Sequence, residues 1–256
     1  MNETTKTSRF KSFLKSFTLY QRIFLAAVVL LTAGFVIFFP EYMLEEDYMQ
    51  ATFLVVCAII STLSNPLCEL LISKQSKWNF AIDFFLIEVP EMVICIYLGW
   101  YAVLATIVLF WIPIDIISFI RWNKHPDQDD ENLTVVKRLK PWQSVGIVFA
   151  IIAFGLGVGK LLQFIPGSED SYLDAFASAV GIANGILLLF RYSEQWIAWL
   201  ITTVIYIMMN FSANAYISLI GDFAMLINTI YGIVKWYLYT KKHQNKELPK
   251  PEEAEQ

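Results

Sequence analysis

The chain has 256 residues, of which 57% are hydrophobic and only 16% charged, with a formal net charge of -4. Its mean hydropathy of +0.53 excludes an ordinary soluble domain and points to a polytopic membrane protein. The three cysteines, Cys57, Cys68 and Cys95, all fall in apolar runs, which suits small core residues and excludes a disulfide framework or a metal site.

In chain order, residues 1–22 form a basic arm, with Lys6, Arg9, Lys11, Lys15 and Arg22 against the single acid Glu3. The apolar run that follows begins late and lacks a small-residue cleavage site, so 23–40 is expected as a membrane helix, not a signal peptide. An acidic stretch carries Glu41, Glu45, Glu46 and Asp47. Further apolar runs cover about 49–73, 79–98, 100–121, 142–164, 172–190, 195–211 and 214–239. Each is near the roughly 20 residues that span a hydrocarbon core. The expectation is an all-α fold of eight transmembrane helices.

Loop charges alternate as the positive-inside rule requires. The arm, Lys74 with Lys77, the Arg121–Lys140 loop, Arg191 and the Lys241–Lys250 tail fall on one side. Glu41–Asp47, the Gly99-Trp100 turn, Glu169-Asp170 and Ser212–Asn214 fall on the other. Both termini are therefore expected in the cytoplasm.

The chain also repeats itself. Leu-Leu-Ile-Ser-Lys74-Gln-Ser76-Lys-Trp78 resembles Leu-Leu-Leu-Phe-Arg191-Tyr-Ser193-Glu-Gln-Trp196, and Ser118-Phe-Ile-Arg-Trp122 resembles Gly232-Ile-Val-Lys-Trp236. The paired tryptophans lie 118 and 114 residues apart. A three-helix repeat over 49–122 and a second over 172–240 are joined by 123–164, a cytoplasmic loop plus one linking helix. A single intervening helix leaves the two repeats parallel, and such transporters hold substrate between them near the midplane. Residues 241–256 form a polar cytoplasmic tail.

Polar groups inside the runs mark where a cavity could lie. Asp83, Glu88 and Glu91 share the third run, the latter two flanking Pro90 in mid-helix, and Asp115, Lys160, Asp222, Asn184 and Asn228 lie in other runs. An ionisable group in hydrocarbon costs at least ~2.5 kcal/mol, so these should face protein or a wet cavity. For Glu88 and Glu91, inter-helix hydrogen bonding and a functional role are both open. Trp196 and Trp199 sit three apart, with Thr203 a turn further along the stripe. Two indoles and a hydroxyl in line could stack on and hydrogen-bond a flat ring, or could simply form an interfacial aromatic belt. No Walker motif, metal-ligand spacing or nucleophile–base pair is present, so neither a cofactor nor an enzyme is expected. The Lys137–Lys140 and Lys241-Lys242 groups are topology signals and not a nucleic-acid patch.

Asp174-Ala175, Ser178, Ala183-Asn184, Arg191, Glu194, Trp196-x-x-Trp199 and Tyr231-Gly232-x-x-x-Trp236 together resemble the PnuC family of vitamin transporters over about residues 49–240. The resemblance implies two parallel three-helix bundles joined by a linking helix, as in an enlarged SWEET sugar transporter, assembled as a homotrimer in the bacterial inner membrane. It implies inward facilitated diffusion of a dephosphorylated vitamin precursor, which a cytoplasmic kinase then traps. Nicotinamide riboside is the expected cargo; thiamine, riboflavin or a deoxynucleoside, and proton-coupled import through Glu88 or Glu91, are the alternatives. Trp196 and Trp199 would stack on the substrate, Thr203, Asn184, Ser178 and Asn228 would hydrogen-bond it, and Asp174 and Tyr231 would shape the entrance and the wall. Two positions depart from the nicotinamide riboside subgroup. Thr203 stands where that subgroup has Asn, and Asn184 where it has Gln.

Overall fold

The computed structural model describes residues 17–40, 52–74, 76, 78–123 and 137–247. The expected acidic stretch at 41–47, most of the basic arm, and residues 124–136 of the expected cytoplasmic loop lie outside them. The described residues are helical apart from turns and one backbone bridge between Lys137 and Tyr192. The helices are α1 (Leu19–Phe38), α2 (Thr52–Ser73), α3 (79–98), α4 (101–123), α5 (Pro141–Leu162), α6 (Ser171–Leu189), α7 (Gln195–Ser212) and α8 (Tyr216–Glu247). Seven of them are long and apolar enough to cross a membrane. The exception is α3, which is as long but carries Asp83, Glu88 and Glu91. The last helix runs beyond the expected boundary at 240, because the polar residues after it continue the same backbone spiral.

Local chemistry sets the helix ends. Thr18 caps α1 by accepting from the Gln21 N–H at 3.3 Å, while its own N–H donates to the Gln21 side chain at 3.0 Å. Gln21, Phe24, Val28 and Thr32 form the one buried stripe of α1, and the rest of the helix is available to lipid. Gly99 ends α3 with φ +70°, a left-handed cap that favours glycine. A Cβ there would also strike the Gly167 carbonyl, so the position is fixed twice.

Neither α3 nor α4 is a plain α-helix. Each widens into a π-helical segment, at Asp83–Glu88 and at Ile107–Trp111. In both cases a proline, Pro90 or Pro113, follows two residues after the segment ends. Proline lacks the N–H that its upstream carbonyl needs, and a locally wider turn relieves that mismatch.

Helix α2 packs against α3 and α8, α4 against α6, and α7 between α6 and α8. Helix α5 lies on the outside of α6, where Gly155 and Gly159 leave room for the rings of Phe176 and Tyr172. Such close approach at small residues is how helices associate in lipid. Helix α1 rests on α2 and α8.

Candidate functional site

Helices α2, α3, α4, α6, α7 and α8 surround a cavity of about 1130 Å³, counting its open mouth. Four of them, α3, α4, α7 and α8, supply its aromatic and carboxylate groups. Trp111 from α4 and Trp199 from α7 meet at its wall as a stacked pair, with ring centroids 6.3 Å apart and planes 24° from parallel. With the Asn184 amide turned to satisfy both neighbours, its oxygen accepts from the Trp199 indole N–H at 3.2 Å and its nitrogen donates to the Gln195 carbonyl at 3.0 Å. The Trp199 ring is thus held by a stack on its face and a hydrogen bond at its edge. Thr203 donates to the Trp199 carbonyl at 2.8 Å, and both it and Ser178 line the cavity. The buried Ser178 hydroxyl has no hydrogen-bond partner among the described residues.

Acids line the same space. Asp83, Glu88 and Glu91 from α3 and Asp222 from α8 all line the space. Ser61 and Asn65 of α2 both donate to one Glu91 oxygen, at 2.9 and 3.2 Å. Asn210 donates to Asp222 at 2.8 Å. Glu88 is different: it is 3% exposed, and neither of its carboxyl oxygens has a partner among the described residues. The described lining contains no Lys, Arg or His.

Of the eight residues expected at the site, the structure places Trp199, Thr203, Asn184 and Ser178 around this cavity and the other four elsewhere. Trp196 is 1% exposed and turns toward α8, where it meets Trp236 edge-on at 5.9 Å. A Cβ at Gly232 would overlap its ring, so the Gly232-x-x-x-Trp236 pattern builds a seat for this indole. Residues three apart on a helix differ by about 60° around the axis; that is enough to put one indole in the cavity and the other in the α7–α8 seam. Asn228 donates to the Pro66 carbonyl at 3.2 Å and ties α8 to α2.

Asp174 is fully buried and accepts the backbone N–H groups of Ala102 and Val103, each at 2.8 Å. It caps the first turn of α4, which has no side-chain cap hydrogen bond of its own. Tyr231 stacks on Tyr20 of α1 at 4.8 Å, away from the cavity. Two features had not been anticipated. Trp111 sits in a run so apolar that nothing in the pattern separates a cavity residue from a lipid-facing one. The pairing of Glu69 with Thr229 at 2.7 Å joins α2 to α8, and a buried acid at the end of an apolar run was its only signal.

A family model described as nicotinamide mononucleotide transporter matches residues 55–238. The chain is 26% identical over 198 residues to the nicotinamide riboside transporter PnuC of Haemophilus influenzae, covering 72% of this chain and 80% of that protein. It is 21% identical over 194 residues to the nicotinamide riboside transporter PnuC of Neisseria mucosa, covering 73% of each. A crystal structure of the vitamin B3 transporter PnuC superposes with a TM-score of 0.72 at 20% identity, over 89% of this chain and 94% of that one, and shares the fold. The family model spans most of the chain, including every helix that lines the cavity, and the chain belongs to the nicotinamide mononucleotide transporter family.

Proposed function

We propose that this protein imports nicotinamide riboside across the bacterial inner membrane by facilitated diffusion, with a cytoplasmic kinase trapping the product. The observation that carries the reading is the Trp111–Trp199 pair at the wall of a cavity between the two helix triplets. A flat heterocycle would stack there. Ser178 and Thr203 offer hydroxyls to a ribose, and Asn184 acts through Trp199 by holding its ring. In this reading Trp196, Asn228, Asp174 and Tyr231 serve the scaffold.

The 79–98 segment is the eighth crossing, its acids turned toward protein. The triplets α2–α4 and α6–α8 are parallel repeats joined by α5. The contact pattern supports this: α2 meets α8 and α4 meets α6, so the first helix of each triplet packs against the third of the other. Both termini are cytoplasmic, the transporter works as a homotrimer, and transport proceeds by rocking one triplet against the other.

Uptake into proteoliposomes of purified protein tests the reading. Nicotinamide riboside is expected to equilibrate down its gradient without ATP or a proton gradient. Uptake of thiamine, riboflavin or a deoxynucleoside instead would move the cargo within the fold. No saturable uptake or binding of any of them would favour a scaffold or sensor. A second reading, proton-coupled import, is favoured by one observation: Glu88 and Glu91 both line the cavity. It requires that collapsing the proton gradient stop accumulation.

A further inference from the structure

Four acidic residues line the cavity and no basic residue does, among the described residues. Three of them differ from Glu88 in what surrounds them or in how open they are. Glu91 has two donors and Asp222 has one; Asp83 is 9% exposed, against 3% for Glu88. Of these four, Glu88 alone combines deep burial with two oxygens that have no partner among the described residues; Asp115 of α4 is as buried and as unpartnered but does not line the cavity. A buried carboxyl left without a partner is costly, and a binding site that omits the partner is completed by whatever brings one. The stacked indoles Trp111 and Trp199 line the same space, and an indole face attracts a cation. Two independent features of one cavity therefore favour the same ligand property.

We infer that the cavity selects its cargo by charge: it takes a flat heterocycle bearing a fixed positive charge, stacked on the indoles and paired with Glu88. This rests on the transport reading above and deepens it. Nicotinamide riboside, a pyridinium, and thiamine, a thiazolium, fit this class. Riboflavin and the deoxynucleosides are neutral and do not. A phosphorylated nucleotide is disfavoured doubly, because its dianion meets acids and finds no base. Glu88 thereby divides the cargoes that the shared fold leaves open.

Calorimetric titration of the purified full-length protein tests the inference with matched pairs. Nicotinamide riboside is compared with its 1,4-dihydro form, which has nearly the same shape but a neutral ring. Wild type is expected to bind the cation at least ~10-fold more tightly, and Glu88→Gln to reduce that ratio by ~10-fold, the equivalent of ~1.4 kcal/mol. Retained binding of the neutral form by Glu88→Gln shows that the variant is folded. Equal binding of the two forms by wild type, or an unchanged ratio in Glu88→Gln, overturns the inference.

Thiamine and riboflavin, titrated in parallel, separate this inference from the choice of vitamin. Thiamine binding that weakens ~10-fold in Glu88→Gln, with no binding of nicotinamide riboside, would displace the proposed vitamin and keep the charge rule. Tight binding of riboflavin or deoxyadenosine alone would overturn the charge rule and leave a transporter. Binding of none of these ligands by folded protein would overturn both.

Discussion

An indole fixed by a stack on its face and a hydrogen bond at its edge presents one plane to the space beside it, and Trp199 has both. Trp196, one turn earlier, is packed on all sides. The same substitution should therefore have opposite consequences at the two positions. Trp199→Ala removes a cavity wall without opening the helix seam, and uptake is expected to fall at least ~10-fold, while the detergent melting temperature moves by no more than a few degrees. Trp196→Ala leaves a hole against Gly232 and Trp236, with an expected loss of about 3 kcal/mol, measured as a lower melting temperature. Affinity in the protein that remains folded should change little. Equal losses of uptake from both variants, at equal stability, would restore the pair to a joint role in the site. Spacing alone could not separate these fates. It placed both rings on one stripe, and only the position of α8 decides where that stripe is cut.

At the scale of the helix, the fold was legible wherever a rule acts within one segment. Apolar runs gave the spans to within two or three residues at most ends, because a membrane demands length and composition regardless of what lies alongside. Contacts between segments were not legible. The resemblance implied an entrance role for Asp174, and nothing in the sequence showed that it caps α4 from α6, with two N–H donors at 2.8 Å. The hint was that α4 begins at a Gly99-Trp100 turn with no capping side chain nearby in sequence. Asp174→Ala strands two buried donors, and a loss of ~1–3 kcal/mol is expected, read as a lower melting temperature. Asp174→Asn, which keeps one accepting oxygen, should lose about half as much. A melting temperature unchanged in Asp174→Ala would mean that the cap is not holding the triplets together. The π-helical segments were equally hidden: Pro90 and Pro113 could be seen, but whether a proline bends, breaks or widens a helix depends on its neighbours.

At the scale of the whole molecule, α1 stands beside the six helices that line the cavity. The matched region begins at residue 55, after α1, and no described residue of α1 lines the cavity. Yet α1 touches α2 in one triplet and α8 in the other, covering Leu70, Leu71 and Ala224 with Phe24 and Val28. In water, uncovering that patch would be severe. In a bilayer the lipid tails replace the lost contacts, because no hydrophobic force separates a helix from lipid. Polar pairing is the exception, since Gln21 is fully buried and its removal leaves neighbours such as Tyr231 facing hydrocarbon. Deleting residues 1–40 is therefore expected to lower the melting temperature by a few degrees and to leave the affinity for cargo within about twofold of wild type. The maximal uptake rate carries the stronger test, because a helix that rests on both triplets must slide or bend when one rocks against the other. A rate that rises on deletion would identify α1 as a brake on that motion, and an unchanged rate would make it a passive cover. A lost affinity would contradict the placement of the cavity itself, because the described residues that line it all lie at Ser61 or beyond.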